Sequence, residues 1–162
     1  MAAFVQTVAQ GGTSANSTTL VITVSVTTTV GNHVFLTVAT GLDTIVSVVD
    51  SKSNTWQLDV NTNRSYIAST KLSSALVSSD TITITITGAR AIAAIAQEFS
   101  GIATATWLDK TATAVSTVNG TVADSGNTAT TTDADELLIG AIRSGADTTI
   151  TWETVSPVLS NI

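Results

Sequence analysis

Residues Thr81 to Thr87 read TITITIT. In a strand successive side chains point to opposite faces, so Ile82, Ile84 and Ile86 share one face while the threonines share the other. Such a segment suits a sheet that is packed on one side and wet on the other. β-branched residues also lose rotamer freedom in a helix, which removes the main competing reading. The same alternation recurs outward from this stretch, at Leu20, Ile22, Val24 and Val26, at Val34, Leu36 and Val38, and at Trp56, Leu58 and Val60. Residues 44–50 (TIVSVVD) and 136–143 (ELLIGAIR) are apolar on both faces and are expected to be central strands covered from two sides. Residues 91–99 (AIAAIAQEF) fit a helical stripe as well as a strand; TITITITG immediately before them supplies a pairing partner, and the reading is strand.

Turn signals separate these segments: Gly11-Gly12, Gly31-Asn32, Gly41 to Asp43, Asp50 to Asn54, Asn61 to Asn63, Ser78 to Asp80, Asn119-Gly120 and Ser125 to Asn127. Gly and Asn tolerate positive φ, and Asx side chains bond to backbone two residues onward. Strands spaced this way predict an all-β, single-domain antiparallel β-sandwich, jelly-roll-like, of about 8 to 10 strands over residues 1–162. Within it, residues 1–15 are expected to form an N-terminal strand or arm, 111–132 a long loop or extended hairpin, and 144–162 a C-terminal strand and tail. Pro157, the one proline, falls in that tail.

Composition narrows the function classes. Charged residues are 11% of the chain, against roughly 25% in an average soluble domain, and threonine takes their place. A net charge of −6 repels phosphate backbones, so no nucleic-acid partner is expected. Without cysteine there are no disulfides, thiolate zinc sites or cysteine nucleophiles. Thr and Ser interrupt every apolar run well short of the about eighteen residues a spanning helix needs. At 4% aromatic, the chain also lacks the girdles of a membrane β-barrel, so no membrane partner is expected. The start, Met1-Ala2-Ala3-Phe4, has no basic region or apolar core of a leader; the chain is expected to stay in the cytoplasm, or a leader has been replaced by the initiator Met.

Few residues offer chemistry, and no catalytic residue or cofactor is expected. His33, the single histidine, would have to be the base of any triad; it alternates with Val34, is expected to be partly exposed, and has no G-x-S-x-G partner. Glu98, Asp109 and Glu153 are the acids least unsuited to a glycosidase pair. Calcium has two candidate groups, Asp50 with Asn54, and Asp133 and Asp135 with Glu136, whose plainer reading is Asx turns leading into strands. Lys52, Lys71 and Lys110 could form an isopeptide bond assisted by Glu98, but read more simply as solvated lysines. Trp56, Trp107, Trp152 and Tyr66 could form a sugar-stacking platform, or could anchor core and rim. Asn16, Asn63 and Asn119 begin N-x-S/T triplets and read as polar turn residues.

The order of short motifs carries a resemblance. GNHVFLTVATG is followed by SVVDSKSNTW, TITITITG, AQEFSGI with WLDKTA, and TTTDADELLIGAI, from about residue 20 to residue 143. This order resembles a broad β-sandwich family of phage virion or tail proteins and bacterial surface modules. The resemblance implies a non-enzymatic virion structural protein, a capsid decoration subunit or a small tail or fibre component, assembled in the host cytoplasm. Its partners would be copies of itself and other virion or surface proteins. It also implies further C-terminal strands, and a missing one would leave an edge for a partner to fill. Two alternatives stand beside it: an extracellular filament or surface-layer subunit in which Phe4 to Ala9 completes a neighbour's sheet, and a carbohydrate-binding module using the tryptophans.

Overall fold

A computed structural model of the chain describes residues 1–62, 64–103, 105–114, 124–132 and 136–143. It contains eight strands, β1 (Ala3–Gly12), β2 (Ser17–Thr23), β3 (His33–Ala39), β4 (Ile45–Asp50), β5 (Gln57–Asn61), β6 (Ser65–Lys71), β7 (Thr81–Arg90) and β8 (Ala93–Ser100). All pairings are antiparallel. They form a five-stranded sheet, β1-β8-β3-β6-β5, and a three-stranded sheet, β2-β7-β4. No helix occurs among the described residues.

The pairing is nested. β1 pairs with β8, β2 with β7 and β3 with β6, as in a long hairpin folded over on itself, which is the winding of a jelly roll. Continued inward, that winding would pair β4 with β5. Instead β5 pairs with β6 in the larger sheet, and β4 and β5 are left as free edges. Between them opens a cleft of about 270 Å³, lined by Ile45, Val48, Trp56 and Leu58 among others.

Alternation fixes which residues meet in the middle. Ile82, Ile84 and Ile86 of β7 join Leu20, Ile22 and Val24 on one side of the core. The larger sheet contributes Val34, Leu36 and Val38, with Ala68, Ala94 and Ala96 beside them in register. Small residues in one sheet leave room for the branched isoleucines of the other, so the layers interdigitate. Each of these isoleucines is almost wholly buried, which stabilises the fold by roughly 1.5–3 kcal/mol per side chain before entropy is counted.

The two sheets differ on their outer faces. Phe35, Ile67, Gln97 and Phe99 point away from the core, yet are only 9%, 8%, 6% and 4% exposed. Their cover includes Trp107, from the segment after β8, whose indole donates to Ser69 Oγ at 2.7 Å. Residues 105–114 are in turn tied to 124–132, where Thr132 N donates to Asp109 Oδ2 at 2.8 Å. The larger sheet is therefore sandwiched between the core and a strap of irregular chain.

Register shifts fall in every ladder that involves an edge strand, including the β2–β7 ladder, where Ser17 pairs with Arg90 and Thr19 with Thr85. Val5 and Val8 in β1, Val46 in β4 and Asp59 in β5 are each skipped by the ladder, whereas β3 pairs with β6 and β8 without interruption. Such bulges twist an edge and interrupt its hydrogen-bonding template.

Two expected central strands turn out otherwise. Residues 45–50 form β4, an edge strand with Val46 and Val49 62% and 52% exposed, because the smaller sheet ends there. Residues 136–143 form no strand, and Leu138 is exposed; their alternating apolar residues lie in irregular chain outside any ladder among the described residues. Residues 144–162 lie outside the described residues.

Candidate functional site

The D-x-x-x-N-x-W segment forms the turn between the sheets. Asp50 Oδ1 accepts from Lys52 N at 2.8 Å and Asn54 N at 3.2 Å, while Oδ2 accepts from Trp56 Nε1 at 2.8 Å. Asn54 reaches across to the β6–β7 connection: its Oδ1 accepts from Ser73 N and Ser74 N, both at 2.9 Å, and its Nδ2 donates to Ser74 O. Ser53, inside the turn, adopts φ 59°. Both residues are buried and engaged by N–H donors, so a cation here would have to displace the bonds that hold the turn. Asp133 and Asp135 lie outside the described residues; Glu136 is exposed beside Asp109. Among the described residues no three His, Asp or Glu side chains converge as metal ligands.

Glu98 is fully buried on the core face of β8. Its Oε2 accepts from Gln6 Nε2 at 2.7 Å, and its Oε1 from Thr29 N at 2.8 Å and Asn32 Nδ2 at 2.7 Å. These donors tie β1, β8 and the β2–β3 connection together. Asp109 sits on the strap across the larger sheet, paired with Lys110 at 2.8 Å. The Lys110 ammonium and the Thr132 N–H hold its carboxyl well below the usual carboxylate range. Glu98 and Asp109 thus share no cleft, and Glu153 lies outside the described residues. Lys52 pairs with Asp80 at 3.5 Å rather than approaching Glu98.

His33 departs from its expected partial exposure. It is fully buried on the outer face of β3, because Trp107 stands edge-on to it at 5.0 Å between ring centroids and Phe35 stacks at 6.5 Å. Neither ring nitrogen has a hydrogen-bond partner among the described residues. Burial, and then the Lys71 ammonium, push its pKa below the ordinary value.

The four aromatics considered as a sugar platform are not brought together. Trp56 packs against the core at the rim of the β4–β5 cleft, whereas Trp107 lies on the far face of the same sheet. Tyr66 is fully buried, its hydroxyl donating to Asp43 O, and burial followed by Asp43 raises its pKa. Trp152 lies outside the described residues.

What the smaller sheet presents to solvent is different in kind. Across its outer face Val21, Thr83 and Val49 stand in one row, and Thr19, Thr85 and Ser47 in the next. Val21 and Val49 are more than half exposed, as is Val46 at the β4 edge. No side chain in these two rows carries a charge. Alternation in TITITIT showed which residues face outward but not that the neighbouring strands would add exposed valines to them. No family model, curated protein or solved structure matches the chain.

Proposed function

We propose that the chain is a non-enzymatic virion structural subunit, a capsid decoration protein or small tail or fibre component, acting through contacts with copies of itself and with other virion proteins. The observation that carries this reading is the uncharged outer face of the smaller sheet, with Val21, Thr83 and Val49 in register and the larger sheet's outer face already covered. Val21 and Val49, with Val46 at the edge, expose apolar surface there free of the like charges that would oppose association in a chain of net charge −6. The buried ionisable groups support it too: His33 is sealed under Trp107, and Glu98 is saturated by neutral donors.

The test is light scattering after size exclusion, followed by negative-stain microscopy and binding to virion particles, on the chain and on Val21→Lys/Val49→Lys. A discrete ring-sized oligomer or particle binding, lost in the double variant with its circular dichroism unchanged, is the expected result. A monomer that never joins particles would overturn the reading.

A further inference from the structure

All three arginines of the chain, Arg64, Arg90 and Arg143, gather at one end of the sandwich. That end is built by the β1–β2, β3–β4, β5–β6 and β7–β8 connections: Arg64 O accepts from Thr40 N at 2.9 Å, and Arg90 closes β7. Arg90 and Arg143 line the same cleft, of about 440 Å³, within the usual range of small-molecule sites. Its rim carries Thr13, Asn16 and Thr40, and Ala39, Ile92 and Ala93 supply apolar lining.

Arg90 is held in place before any ligand arrives. Its Nε lies 2.9 Å from Asp43 Oδ2 in an ion pair, and its aliphatic stem lies across Gly41, where a Cβ would come within 2.8 Å of Cδ. Gly88 makes the same allowance for the Asp43 carboxylate, which a Cβ there would strike. Two missing side chains thus let this ion pair lie flat on the backbone, with one terminal guanidinium nitrogen of Arg90 donating weakly to Ala89 O at 3.4 Å and the other beside the cleft. Asp43 offsets one of the cleft's two positive charges. Arg143 forms no ion pair among the described residues, so the second is not offset there.

We propose that this cleft binds one anionic group, a carboxylate or a phosphate, carried by a sugar-sized ligand. A planar guanidinium fork matches either group bidentately. Hydroxyl and amide groups at the rim suit ring hydroxyls, and the alanines suit the C–H face of a ring. The chain's overall negative charge opposes long polyanions, which selects a ligand with one acidic group over a nucleic acid. The inference stands apart from the assembly reading above and concerns the opposite kind of surface.

Calorimetric titration of the full chain with glucuronate, glucose 6-phosphate and glucose, at low and high salt, tests it. Saturable one-to-one binding of at least one acid, weaker at high salt and absent with glucose, is expected, and Arg143→Gln should weaken it about tenfold or more. Binding of glucuronate alone assigns a carboxylate ligand, and of glucose 6-phosphate alone a phosphate. Arg90→Gln supplies a second variant, with Lys110→Gln as the unaffected control. No saturable binding of either acid, or equal binding by both arginine variants and the parent chain, would overturn the proposal.

Discussion

Strands β3 and β7 hold the same central place in their sheets and carry the same alternation, yet their backs meet different surroundings. Behind β3 lie His33 and Phe35, buried; behind β7 lie Thr83 and Thr85, half exposed between rows that include open valines. A strand's inner face is decided by the sheet it packs on, but its outer face is decided by whether another piece of chain comes back to cover it. Among the described residues, the segment after β8 covers the larger sheet and none lies over the smaller one's valines. The same apolar side chain is therefore core in one sheet and available surface in the other.

The sharpest way to break this contrast is to truncate matched outer positions. Phe35→Ala should cost about 3 kcal/mol, like a core deletion, because its ring is enclosed by Phe99, His33 and the layer above. Thr83→Ala should change stability by no more than about 0.5 kcal/mol. Urea unfolding of both variants decides; similar small costs would mean that the larger sheet's back is not a second core. A smaller effect is expected at the turn that sends β5 to the larger sheet. Asp50→Ala would leave the Trp56 Nε1–H and two backbone N–H groups without their acceptor, costing about 2 kcal/mol in the same assay. An unchanged unfolding midpoint would show that this carboxylate does not hold the turn.

The smallest effect reads the cover through pH. Burial holds the His33 pKa below its ordinary 6.5, so the unfolded chain takes up a proton first. The stability that neutral His33 contributes is present above that value and is lost as the pH falls below it. Melting temperatures of the chain and of His33→Leu, compared between neutral and mildly acidic pH, should diverge on the acid side, with Trp107 emission shifting in the parent. Parallel curves would mean that the imidazole is not sealed.

Much of the fold was legible in the residues themselves. The faces of β7, β2 and β3 followed from period-two spacing, and residues 91–99 yielded β8, but not with the partner expected: the preceding TITITITG is β7 in the other sheet, and β8 pairs instead with β1 and β3. The other misreadings share one cause. Apolar density on both faces signals burial from two sides, but it cannot say whether a ladder, a strap or nothing provides the second side. Residues 44–50 became an edge of the smaller sheet and 136–143 irregular chain outside the described ladders, while His33 and Phe35, in a strand read only for its inner valines and leucine, were enclosed by a tryptophan some seventy residues onward. The Asp50 turn was legible because its bonds are local. The Glu98 network and the arginine cleft were not, since Gln6, Asn32 and Glu98, like Gly41, Arg90 and Arg143, meet only through the topology.

The strap's position in the chain sets an order of events during synthesis. Every strand among the described residues lies within the first hundred positions, whereas Trp107 and the segments tied to it come afterwards. A ribosome that has released residues 1–100 has exposed both described sheets, and the back of the larger one still shows Phe35, Ile67 and Phe99 to water. The emerging chain is most adhesive at that moment, and nascent neighbours on one message carry the same uncovered patch. Residues 105–114, tied to 124–132, thus act as the fold's own late-arriving chaperone, masking the patch once they emerge.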